Sequence, residues 1–163
     1  MAKKSSEKSK PKKKPSSQVP AEHWTDEPAE HDYPAAADYL SLICSKTEVT
    51  RLVAALKVAP IERRKAKDLL RASTLTLLPT DNAHVRSDLA KVEHGTALSP
   101  VLLVRGDIRS ATPLTIADGY HRVCASYHLD ENADIPCHVV DLTPPRVRTA
   151  RRGPSTRGPA GVQ

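Results

Sequence analysis

The residues best equipped for chemistry lie in one short run, Asp118-Gly119-Tyr120-His121-Arg122. An aliphatic stretch, Leu114 to Ala117, runs into it, and Tyr120 to Leu129 reads as a helix. The pattern predicts a strand, a tight turn and a helix start. The first amides of such a helix lack intrahelical acceptors, and the helix dipole places partial positive charge there. Gly119 has no side chain, so a ligand would be able to approach the backbone closely. Arg122 carries a permanent fork of donors suited to phosphate. At a helix N-terminus, His121 should tend toward a depressed pKa and present a neutral imidazole to a ligand oxygen. Together these residues form a candidate anion site of the strand–turn–helix kind.

The same residues also read as plain structure. Asp118 would then be a helix cap and Gly119 a turn residue. Tyr120, Val123, Cys124 and Tyr127 would share a buried helical face, and Arg122 would pair with Asp118 four residues earlier. Spacing alone leaves both readings open. Elsewhere, His84, His94, His128 and His138 show no metal-ligand pattern and read as surface or packing residues. Cys44, Cys124 and Cys137 are odd in number, and no two have metal or redox spacing, so reduced thiols and a cytoplasmic location are expected.

Composition divides the 163 residues sharply. Between 35 and 142, 52 of 108 residues are apolar, enough to bury a core; the 55 flanking residues hold 11. The net charge of +6 is also unevenly placed: +6 in 1–20, +5 in 144–163 and −5 between them. A Lys/Ser/Pro arm and an Arg/Gly/Pro tail therefore flank a mildly acidic domain. Such tails attract phosphate backbones without reading sequence, or simply keep a chain dispersed. Neither has aromatic residues among its basic ones, which argues against base stacking there. No window is apolar enough for a membrane span, and no apolar stretch follows the first lysines as a secretory signal would require.

The elements that must position the run follow from periodicity. Pro34 suits a first helical turn, with Tyr39, Leu42 and Ile43 at helical spacing. Thr47 can cap a second helix, whose Val49, Leu52, Val53 and Leu56 make an apolar stripe. From Pro60 to Ala72 a further helix is expected, with Glu62 to Lys67 as its solvated face. Leu75 to Leu78 reads as a short strand. Asp81 is a candidate N-cap for a helix over 82–94, and Gly95 sits where a left-handed C-cap belongs. Val101 to Val104 is a buried strand, 105–113 a turn, Leu114 to Ala117 a strand, Tyr120 to Leu129 a helix and Ile135 to Leu142 the last strand. The fold class is α+β. A disordered basic-then-acidic arm (1–34) and a helical segment (35–73) precede a β-α-β-β-α-β core (74–142). A disordered tail (143–163) follows. Trp24 lies within the acidic stretch 21–34 and has no assignable place.

Asp118-Gly119-Tyr120-His121-Arg122-x-x-Ala125, followed by Ile135-Pro136-x-x-Val139-Val140, resembles the ParB/sulfiredoxin superfamily. The helix ending at Gly95 and the run Leu98-Ser99-Pro100-Val101-Leu102-Leu103-Val104 resemble that family's preceding helix, turn and second strand. The resemblance spans roughly residues 74–142.

The resemblance implies a nucleotide-phosphate pocket at this helix start, as for CTP with Mg²⁺ in ParB proteins and ATP in sulfiredoxins. By position, Gly119, Tyr120, His121 and Arg122 would hold phosphates and Arg86 would touch one. Asp81 or Asn82 would hold Mg²⁺, with Asp118 a rival candidate for the metal or for a general base. Asp118 and His121 would be the catalytic candidates if a nucleoside triphosphate, CTP or ATP, is hydrolysed or donates its phosphoryl group. Tyr120 stands where sulfiredoxins carry their reactive cysteine, which argues against that chemistry. Only 21 residues follow Leu142, too few for the DNA-reading domain of ParB proteins. The alternative expectation is a non-catalytic adaptor that contacts nucleic acid or an acidic partner through 1–20 and 144–163. Nuclease activity is a weaker option, because no acidic cluster is dense enough for a two-metal site.

Overall fold

The computed structural model describes residues 22–142. The expectations placed on the arm 1–20 and the tail 144–163, including nucleic-acid contact, lie outside the described residues. Five α-helices and a four-stranded mixed sheet make up the fold: α1 (Asp32–Ser41), α2 (Lys46–Val58), β1 (Ile61–Lys65), α3 (Ala66–Ser73), α4 (Ala83–Glu93), β2 (Val101–Arg105), β3 (Thr115–Asp118), α5 (Tyr120–Leu129) and β4 (Asp134–Asp141). The sheet order is β1-β4-β2-β3. β4 and β2 run parallel, and β1 and β3 are the antiparallel edges. Among the described residues no helix is long and apolar enough to cross a membrane.

Both faces of the sheet are covered, which explains the unbroken aliphatic run of β2. Leu102 and Val104 face one way, with Ala117 and Val140, and meet Ala36 and Leu40 of α1 and Leu52 and Leu56 of α2. Val101 and Leu103 face the other way, with Ile116, Ile135 and Cys137, and meet residues of α3, α4 and α5. The N-terminal helices are thus one outer layer of a three-layer sandwich.

Helix ends follow local chemistry, sometimes one or two residues from where the sequence suggests. α1 begins at Asp32 rather than Pro34. α2 is capped by Ser45, not Thr47: Glu48 N–H donates to the Ser45 hydroxyl, and the Glu48 carboxylate accepts from Ser45 N–H at 3.0 Å, a reciprocal capping box. Asn82, not Asp81, caps α4, its Oδ1 accepting from His84 N at 3.0 Å and Val85 N at 3.3 Å. Gly95 has φ +70° and completes a Schellman ending, with Thr96 N donating to Lys91 O at 2.8 Å and Gly95 N to Val92 O at 3.0 Å.

Two elements differ from expectation. Residues 61–65 form a strand, not helix surface: Ile61 pairs with His138 and Lys65 with Asp134 along β4. Tertiary pairing overrides helix propensity here, and the side chains of an edge strand tolerate charge. Conversely, Leu75–Leu78 form no strand. Side chains take up carbonyls of this segment instead: Tyr120 Oη donates to Thr76 O, and the His128 ring contacts Leu78 O at 2.7 Å. Leu77 and Leu78 still pack against the core. Over residues 61–142 the order is therefore β-α-α-β-β-α-β rather than β-α-β-β-α-β.

The acidic stretch is docked over its described part, contrary to the expected disorder. Leu98 N donates to His23 O, and Thr25 N donates to Leu98 O, both at 2.8 Å, so Trp24 bridges to Leu98 and packs on the core. This carries the chain to Asp32, at the edge of the candidate site.

Candidate functional site

β3 ends at Asp118, the chain turns through Gly119, and α5 starts at Tyr120. Gly119 has φ +98°, a conformation that L side chains rarely adopt. A Cβ there would lie 2.5 Å from Val101 Cγ1 and 3.0 Å from an Arg122 guanidinium nitrogen. The close approach at Gly119 is thus made by the protein's own β2 and Arg122.

Arg122 points inward. Its side chain is 12% exposed and spans two carboxylates, bonding Asp32 Oδ2 at 3.2 Å on one side and Asp118 Oδ2 on the other. The same guanidinium bonds the Ser99 hydroxyl. Asp32, buried, also accepts from Ser99 Oγ at 2.7 Å and Ala29 N at 2.9 Å. Arg122 therefore ties three distant pieces of chain together: the N-terminal segment, the turn before β2, and the β3–α5 corner. A buried charge held this way is expensive to unpair.

The two carboxylates respond oppositely to sharing one cation. Burial alone would raise Asp32, but the Ser99 hydroxyl, the Arg122 guanidinium and the Ala29 amide outweigh it and hold the group below the ordinary range. For Asp118 burial dominates. Arg122 offsets only part of it, the negative charge of Asp32 adds to it, and the carboxyl is pushed up.

Beside this buried pin lies a groove of about 200 Å³ bounded by α4, α5 and the start of α1. Its polar lining includes His31, His84, Ser87, Asp88, Lys91 and His121. The rings of His84 and His121 lie 4.7 Å apart, tilted by 37°. His121 is shifted down, as expected, but mainly by burial and then by His84, with Arg122 adding to the effect and Asp88 opposing it. Lys91 Nζ bonds Asp88 at 2.7 Å and remains half exposed. No side chain caps the start of α5, whose first intrahelical bond runs from Val123 N to Gly119 O. The amides ahead of Val123 have no acceptor within the helix. The groove thus gathers helix-start amides without a helical acceptor, a neutral-leaning imidazole and an ammonium paired with Asp88, beside the carboxylates of Asp32 and Asp118.

The remaining sequence candidates are placed differently. Asp81 is exposed on the turn before α4, and the Asn82 carbonyl oxygen is committed to the cap. Arg86 is exposed on α4, and none of the three lines the groove. Among the described residues no three His, Cys, Asp or Glu side chains come together in a way that could hold a metal ion. Asp81 and Asn82 thus do not fit a Mg²⁺ site at this groove. Tyr120 is half-buried, with its hydroxyl on Thr76 O, and Cys124 is fully buried with its thiol pushed up by burial. A raised, buried thiol is a poor nucleophile.

Sequence reasoning missed His84, Ser87, Asp88 and Lys91 as groove residues. The signal was present in their spacing of i, i+3, i+4, i+7, a polar stripe along α4 beside the apolar one of Val85, Leu89 and Val92. His31 and Asp32 carried no comparable signal, because they arrive from 90 positions away in the chain.

Comparison of the chain with protein-family models, with curated proteins and with solved structures finds no match.

Proposed function

We propose that this protein binds a nucleotide, or a similar phosphate-bearing ligand, at the N-terminus of α5. The resemblance of residues 74–142 to the ParB/sulfiredoxin superfamily suggests the ligand class. The observation that carries the reading is the uncapped start of α5, which opens onto a groove that also presents His121, His84 and Lys91. Free backbone amides at a helix start favour phosphate oxygens, and the two imidazoles and the ammonium supply further donors. CTP and ATP are the first candidates, with Mg²⁺ carried mainly by the phosphates and water, as is usual for that ion. Arg122 is a positioning residue in this reading: it fixes the turn rather than meeting the phosphate. Any turnover would rest on Asp118, with its raised carboxyl, and on His121 at the helix start.

Thermal unfolding in the presence of ATP, CTP, GTP and UTP, with and without Mg²⁺, tests the reading. A ligand at about 100 times its Kd adds roughly 2.7 kcal/mol and moves the midpoint visibly. The shift should appear for at least one nucleotide and vanish in a Lys91→Ala/His121→Ala double variant that keeps its own midpoint. A flat panel across all nucleotides would refute it.

A further inference from the structure

A second cavity lies at the other end of the same sheet face, where β2 leaves the sheet. Its volume is about 660 Å³, and its floor is Leu103 and Val139. Leu69 and Ala72 of α3 form one wall. The opposite wall is the connection from β2 to β3, which is a built structure. Asp107 N donates to Thr112 O at 2.9 Å and Thr112 N returns to Asp107 O at 3.0 Å. The Asp107 carboxylate then holds the short 3₁₀ turn Ile108–Ser110, accepting from Arg109 N at 2.9 Å. A Cβ on Gly106 would lie 2.4 Å from Thr112 O, so the turn closes tightly on itself. Ile108, on that fixed turn, is 96% exposed at the lip of the cavity.

The charged lining is Arg64 from β1, Arg105 from the end of β2, and Asp68. Asp68 is taken by Arg71 at 2.9 Å. Arg64 pairs with Glu62 and Arg105 with Asp141, and both guanidinium side chains are about half exposed. Exposed pairs of this kind hold one another weakly, and each guanidinium keeps further donors for a second carboxylate. Volume, apolar lining and a few polar groups at the rim match a small-molecule site. We propose that this cavity binds a small amphiphilic carboxylate. Its aliphatic or aromatic body lies over Leu103 and Val139, under Ile108, and its anionic head meets one of the two rim guanidinium groups, Arg105 or Arg64. The site is separate from the groove at α5 and does not depend on it.

The test titrates the full chain with 1-anilinonaphthalene-8-sulfonate, a fluorescent apolar anion, and then displaces it with octanoate or octan-1-ol. Probe fluorescence should rise saturably, and octanoate should displace it at concentrations at least tenfold below octanol. Ala72→Trp, which fills the cavity from an exposed helix position, should abolish binding. Ile108→Ser, at a solvent-exposed side chain that does not threaten folding, should weaken it about threefold, and Arg64→Ala/Arg105→Ala about tenfold. Equal displacement by octanol and octanoate would overturn the proposal, as would undiminished probe binding in both the Ala72→Trp and Ile108→Ser proteins. Sedimentation showing a dimer that Ala72→Trp alone dissociates would assign the cavity to a second copy and overturn it too.

Discussion

The two ends of the sheet handle charge in opposite ways. At the β3–α5 corner, Arg122 is buried between Asp32 and Asp118 and also bonds the Ser99 hydroxyl. Around the large cavity, Arg64 of β1 and Arg105 at the end of β2 sit half exposed over apolar residues, in pairs that solvent already loosens. An arginine in a suggestive motif is thus spent on architecture, while arginines in no motif at all remain available. Burial and partner count separate the two roles, whereas residue type does not. The proposed ligand at the α5 corner would therefore rely on His84, Lys91 and His121 more than on the committed arginine.

The comparison breaks most visibly at Arg122. Arg122→Ala strands the buried Asp32 carboxylate and the partly buried Asp118, and should cost about 3–5 kcal/mol, measured by urea unfolding. A loss under about 1 kcal/mol would mean that the pin behaves like an exposed pair. Arg105→Ala, at the open end, should cost no more than about 1 kcal/mol in the same assay. A smaller effect comes from pH. The folded-state pKa of His121 is depressed, so the unfolded chain takes up its proton first. Stability from this group is complete above the unfolded value of about 6.5 and falls as pH drops through it. His121→Gln should flatten that part of the stability–pH curve. By the same linkage, an anion in the groove draws the proton back onto His121, so nucleotide affinity should rise from pH 8 to pH 6. A profile that is flat in both proteins would remove His121 from the site. The smallest effect is expected at Ile108. Ile108→Ser should leave stability within about 0.5 kcal/mol, because a 96% exposed side chain loses little burial.

Much of this was legible residue by residue. The aliphatic run Val101–Val104 marks a strand buried on both faces, Gly95 marks a helix end, and the Asp118–Gly119 break marks the β3–α5 turn; each feature is local. What was not legible depends on partners distant in sequence. Glu62 to Lys65 has the composition of a helix surface, and only its register against Asp134–Cys137 makes it a strand. Asp32 sits in an acidic stretch that resembles a linker until Ser99 and Arg122 claim it. The Arg122–Asp118 pair was readable from its spacing of four, but the third partner was not. The large cavity was invisible for the same reason, since β1, α3, β2, β4 and the β2–β3 connection each supply part of it.

The charged edge strand has one more effect. β1 carries Glu62, Arg63, Arg64 and Lys65 in succession along the open rim of the sheet. A fifth strand from another molecule would have to strip water from these ionic groups before its backbone could pair with the rim. The sheet is therefore guarded on this side by hydration, and crowding such molecules should not zip them together through their β1 edges.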